Sequence, residues 1–171
     1  MTASTEPRNE LERSLVADSA FTPPSHILEG ITDQLAHQQT PGAPHTIYAE
    51  LWHIVFWQQI TLDWIKGVET PCPAHASLGF PSPEETARES WPDLRARFFV
   101  SNREAGDAAA EPSRLDQPIR CPSPASQPAR IMTVREQLES LSAHNAYHLG
   151  RIVLLRQLSQ AWPPASGGFT W

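Results

Sequence analysis

The pentapeptide His144-Asn145-Ala146-Tyr147-His148 places two imidazoles at positions i and i+4. The surrounding run, Thr133 to about Gln160, reads as helix. Side chains at that spacing sit one above the other on a single helix face, so two such rings can share one divalent cation. A third ligand must come from another helix. His53 is the candidate, in the middle of the apolar segment Glu50-Leu51-Trp52-His53-Ile54-Val55-Phe56-Trp57. Zinc and nickel both accept neutral imidazole, and three protein ligands with one open position is the pattern of a catalytic site. Two plainer readings stand beside it. Histidines at i, i+4 can lie on a solvated face, and a His on an apolar helix can be a core residue bonded to a backbone carbonyl.

The pentapeptide has no Glu, which excludes the zinc-protease pattern with a helical general base, and Asn145 cannot replace it. Ser140 and Ser142 lie near the His pair without the strand-to-helix turn that exposes a nucleophilic serine. Glu50, one turn before His53, is either an acceptor that orients that imidazole or a solvated first-turn acid. His45 precedes a helix start, and packs there or faces water. His26, His37 and His75 read as surface residues. Trp57 and Trp64 share the His53 stripe and are the tryptophans placed to line a pocket.

The elements that must position these residues are helices. The second strong segment runs from about Thr46 to Lys66, with Gly67 as its stop. It has one apolar stripe of Tyr48, Leu51, Val55, Leu62 and Ile65. A second stripe holds His53, Phe56, Trp57, Ile60 and Trp64, so the helix is buried on two sides. The last helix opens with the capping box Thr133-Val134-Arg135-Glu136 and carries Val134, Leu138, Leu141, His148, Ile152 and Leu155 on one stripe. Ser82-Pro83-Glu84-Glu85 starts a short helix that cannot run through Pro92, so a longer one follows from about Trp91 to Ala110. A weakly amphipathic helix occupies about Glu10 to Ala20. A helix resumes at Ser25, and Thr32 caps a further short turn through Leu35. Glu111 to Arg130 contains five prolines and reads as a long irregular crossover. The tail after Pro163-Pro164 ends in Phe169 and Trp171, which suggest docking. With no period-two strands and no repeat, the expected fold is all-α, an antiparallel four-helix bundle with a long Pro-rich connection before the last helix, and residues 1–171 form one domain.

Composition sets the function classes. Of 171 residues, 40% are hydrophobic and 19% charged, which suits a globular chain with a sizeable core. The net charge of −6 argues against a nucleic-acid partner, which needs a basic face to displace counterions. The amino-terminal stretch lacks the apolar core of a secretory signal, and no apolar run is long enough for a membrane span. Cys72 and Cys121 lie in Pro-rich connections and form no metal-binding pair motif. A reducing cytoplasm is the expected compartment.

Three stretches together resemble a known group. His144-Asn145-Ala146-Tyr147-His148-Leu149-Gly150-Arg151-Ile152 resembles the last-helix motif of the DinB/YfiT-like superfamily. Pro44-His45-Thr46-Ile47-Tyr48 leading to Leu51-Trp52-His53-Ile54 resembles its second-helix motif. Ala161-Trp162-Pro163-Pro164 with Ser166-Gly167-Gly168 is similar to its carboxy-terminal signature. The resemblance implies a DinB-like four-helix bundle, often a homodimer, whose His triad binds a divalent metal, commonly zinc or nickel. The matching positions are His53, His144 and His148. It further implies a small-molecule substrate and, by analogy with thiol S-transferases of the group, a low-molecular-weight thiol. A metal-dependent hydrolase and a non-catalytic, stress-related metal-binding protein are the alternatives. Arg151 stands where relatives often have Gln. It is expected either to bind a substrate carboxylate or to pair with an acid such as Glu50.

Overall fold

The computed structural model describes residues 7–17, 19–124 and 127–167. In chain order its elements are α1 (Glu10–Val16), α2 (Pro24–Ile27), α3 (Asp33–His37), α4 (Ile47–Ile65), a 3-10 turn (Ala76–Gly79), α5 (Pro83–Arg88), α6 (Trp91–Ala109), α7 (Pro112–Leu115), the strands β1 (Pro118–Cys121) and β2 (Arg130–Thr133), and α8 (Val134–Leu158). The all-α expectation holds.

Four helices close a ring: α4 packs on α6 and α8, and α1 packs on both α6 and α8. Cross-helix contacts give the directions. Glu50 meets Arg151, His53 meets His144, and Thr61 meets Gln137, so α4 and α8 are antiparallel. Tyr48 meets Glu89, Gln58 meets Asn102, and Lys66 meets Glu104, so α4 and α6 run the same way. The Pro-rich connection between those two helices must therefore travel the length of the bundle, and its 3-10 turn passes the site on the way.

Local chemistry explains the boundaries. The Thr46 hydroxyl accepts from the Ala49 amide at 3.2 Å and starts α4. Gly67, at φ +81°, takes the left-handed conformation that ends it. Thr133 and Glu136 complete a reciprocal capping box that starts α8. Pro92 sits in the first turn of α6, where its missing donor costs nothing. Gly106 lets α1 lie directly on α6, because a Cβ there would come within 2.5 Å of Val16 Cγ1.

The core runs through the ring in two main clusters. One gathers Leu51, Ile54, Trp91, Leu94, Phe98 and Ile152, and the other gathers Leu15, Leu62, Ala105, Leu138 and Leu141. The first apolar stripe of α4 feeds both clusters, and the second, through Ile60 and Trp64, packs separately against Cys121, so the helix is buried on two sides as its pattern predicted. Burying each large side chain contributes about 1.5–3 kcal/mol.

Two expectations need correction. The first helix ends at Val16 rather than Ala20, where Ala17 turns to extended backbone. The crossover from Glu111 to Arg130 is not wholly irregular. It contains α7 and one arm of a two-stranded antiparallel ribbon, with Pro118 opposite Thr133 and Cys121 opposite Arg130. Cys121 is fully buried in the ribbon, against Ile60 and Trp64 of α4. Pro118 is tolerated because it is the first residue of an edge strand. Both cysteines are free thiols. Phe169, Trp171 and Gly168 lie outside the described residues. Trp162, just before that tail, packs edge-on to His26 with the Arg156 guanidinium 5.2 Å above its ring. Among the described residues no helix is long and apolar enough to cross a membrane.

Candidate metal centre

Antiparallel packing of α4 against α8 sets His53 opposite His144 and His148. One ring nitrogen from each lies within 4.8 Å of the others. His53 and His148 are buried and His144 half-buried. The i, i+4 pair has ring centroids 4.5 Å apart, and the His53 ring lies 5.0 Å from His144 and 4.4 Å from His148. The solvated-face alternative is thereby excluded.

Hydrogen bonds fix which nitrogens face the centre. His53 Nδ1 lies 2.7 Å from the Gly79 carbonyl oxygen, which can only accept, so Nδ1 carries the proton and Nε2 is bare. His148 Nδ1 lies 2.7 Å from Glu50 Oε2, leaving its Nε2 directed away from the carboxylate. The other oxygen of Glu50 accepts from Arg151 Nε at 2.8 Å. His144 Nε2 sits 3.1 Å from His53 Nε2 and is the donor of that contact, since His53 Nε2 is bare. This leaves His144 Nδ1 buried with no partner. Two imidazoles are thus anchored from behind and the third is not.

Glu50 takes neither of its two anticipated places, as a solvated acid or as the support of His53, its neighbour on α4. It orients His148 across the helix interface instead. Arg151 takes the second of its two anticipated roles and pairs with Glu50. The carboxylate is fully buried. Burial alone would raise its pKa, but the hydrogen bonds from His148 and Arg151 and their charges outweigh that and hold it below its ordinary value. Burial lowers His53, against the pull of the Gly79 carbonyl. Burial and the two neighbouring imidazoles push His144 down to about 4. At neutral pH these two rings offer lone pairs rather than charge.

An aromatic layer backs the cluster. Phe80 stacks on His53 with centroids 4.1 Å apart, and His45 stacks on the far face of Phe80 at 3.8 Å. His45 therefore packs rather than facing water, and burial lowers its pKa. Trp57 stands edge-on to both His53 and His144. Gly79 and Phe80 are the functional positions that sequence reasoning missed. Gly79 is required by close approach, because a Cβ there would meet His53 Cε1 and Nδ1 at 3.1 Å. The Pro-rich setting of Gly79-Phe80-Pro81 is the only sequence signal for them, and it does not say what they face. His37 and His75 are exposed, and His26 packs against Trp162. None of the three joins the cluster.

A pocket of about 240 Å³ opens on the His144 side, bordered by Trp57, Trp64, Cys72, Arg130 and Gln137. Trp57 and Trp64 were the two tryptophans expected to line one.

The comparison with known families agrees with the resemblance of the motifs. The family model described as the DinB superfamily matches residues 25–152, most of the chain. The chain belongs to the DinB superfamily. The matched span contains all three histidines, Glu50, Gly79 and Arg151. No curated protein matches the chain. What this DinB-superfamily site can do must therefore be argued from its own residues.

The residues fit a divalent cation. The donors are imidazoles, two of them with ring orientation fixed by a carbonyl and a carboxylate, the arrangement that supports metal-binding histidines. His144 lacks such a support, because its buried Nδ1 has no partner. A cation needs the lone pair at Nε2, and the proton must then sit on Nδ1.

Proposed function

We propose that this DinB-superfamily protein is a metal-dependent enzyme in which His53, His144 and His148 hold one divalent cation, zinc or nickel, through Nε2. The convergence of three Nε2 atoms, two of them pinned from behind by Gly79 and Glu50, carries this reading. Grouping three imidazoles in a bundle interior is costly unless they share a partner. When bound, the cation supplies Lewis acidity, which favours the ionised form of a small thiol or of water.

The chain's own residues do the rest. Glu50 holds His148 in its tautomer, and Arg151 keeps Glu50 ionised. Gly79 holds His53, and Phe80 and Trp57 keep water from the rings' far side. Among the described residues, no further His, Cys, Asp or Glu joins the cluster, which favours a position left open for substrate. The pocket beside His144 gives the approach. The one carboxylate at the site is already committed to His148 and Arg151, so no free base is at hand to take a proton from water. That favours a thiol, whose proton leaves more readily, and hence S-transfer to a small electrophile over hydrolysis.

Cobalt-loaded protein tests the reading. Adding cysteine or another small thiol is expected to change the visible spectrum, as thiol enters the open position. A spectrum unchanged at saturating thiol would contradict the enzyme reading and leave a closed, non-catalytic metal site.

A further inference from the structure

We propose that the pocket beside His144 takes a small monocarboxylate with a planar apolar body, held by Arg130 and set against the indoles of Trp57 and Trp64. The proposal deepens the enzyme reading, because it rests on the triad being the reaction centre that this pocket serves.

The first observation is charge. Among the described residues lining the pocket, Arg130 carries the sole formal charge at neutral pH. No carboxylate pairs with it among the described residues, whereas Arg120, on the facing strand, pairs with Glu69 at 3.1 Å. Arg130 is thus an unpaired guanidinium at the pocket rim. Arg151, the other guanidinium near the triad, is held by Glu50 and unavailable. The fork of a guanidinium matches the two oxygens of a carboxylate. A single cation with no second one in the lining suits a monoanion rather than a phosphate dianion.

The second observation is the shape and polarity of the walls. The Trp64 indole is fixed by its bond to the Thr70 carbonyl at 2.8 Å. Trp57 is braced edge-on by His53 and Phe56. Both aromatic surfaces are thus set before any ligand arrives, which lowers the entropic cost of binding. Gln137 donates one N–H to Thr61 and accepts from Cys121, so its amide is held in place before any ligand arrives. The pocket volume of about 240 Å³ suits a ring with a short acid arm rather than a large ligand. His144 on its border sets the bound molecule beside the triad.

The test compares phenylacetate with its neutral amide, phenylacetamide, followed by tryptophan fluorescence and calorimetry on the full chain, both metal-free and zinc-loaded. The acid is expected to bind about tenfold more tightly than the amide, the scale of one charge-assisted contact. Arg130→Gln should bring the ratio to about one with the amide's affinity unchanged. Arg130 is exposed on a ribbon, and circular dichroism checks that the variant folds. Ser140→Asp, at an exposed pocket position, should weaken the acid selectively. Equal binding of acid and amide, binding of neither, or an unchanged ratio in Arg130→Gln would overturn the proposal. Zinc titration of the same samples reads the triad separately. A preserved ratio without zinc binding would sink the metal reading and uphold the pocket's chemistry.

Discussion

The α4–α8 interface has two halves built on opposite rules. At one end, Glu50, His53, His144, His148 and Arg151 form a polar cluster inside the bundle. At the other end, Leu62, Ile65, Val134, Leu138 and Leu141 pack with Leu15 and Ala105. Between them, Thr61 and Gln137 are hydrogen-bonded at 3.1 Å. The apolar half follows from burial alone. The polar half does not, because desolvating five such side chains opposes folding unless they are paired or share a ligand. Its pairing is also incomplete, since His144 Nδ1 has no partner. The contrast sets stability in one half and the proposed metal chemistry in the other.

Paired substitutions can break that division. His148→Ala should abolish tight zinc binding while leaving the bundle folded. Leu138→Ala should do the reverse, costing about 2–5 kcal/mol in a urea melt with zinc affinity retained. If zinc affinity falls with Leu138→Ala as far as with His148→Ala, the two halves are not separable.

Glu50→Gln sharpens the comparison inside the polar half. It removes the charge that holds His148 and Arg151 but keeps the size, and should lower zinc affinity about 10–100-fold by calorimetry. A smaller effect is expected at Gly79. Gly79→Ala pushes a methyl against the His53 ring and should weaken zinc on the order of tenfold or less, by misaligning one anchor rather than deleting it.

The smallest effect is a pH slope in the metal-free protein. Between its ordinary 6.5 and about 4, His144 is protonated in the unfolded chain and neutral in the folded one. The unfolded state binds more protons there, so stability falls as pH drops through that window. His53, also lowered, adds to the same slope. Glu50, held below its ordinary 4.5, adds loss only at lower pH. Urea midpoints at pH 7.5, 6 and 5 should decline, and His144→Ala should flatten the decline.

What the sequence made legible follows from where its physics is local. Thr46, Ser82 and Thr133 announce their helices because a cap acts within three residues. His53, His144 and His148 stand out because an imidazole amid apolar residues is unusual, and i, i+4 spacing fixes their shared face. Arg151 was a foreseeable partner of Glu50, but the bond from His148 to Glu50 was hidden because it depends on how α8 registers against α4, and no single helix carries that information. Gly79 and Phe80 lie in a connection without periodicity, so nothing local aims them at His53. The ribbon escaped notice because each strand has only four residues and one begins with proline.

The proposed centre has three imidazoles, and no other side chain, on one cation. X-ray absorption on protein loaded with zinc and free of any affinity tag tests it most directly. The account predicts one zinc per chain with three imidazole nitrogens at about 2.0–2.1 Å and a remaining light-atom position that exchanges with added thiol. A chain that binds no stoichiometric zinc, or a zinc shell containing a protein sulfur at about 2.3 Å in the absence of thiol, would contradict it.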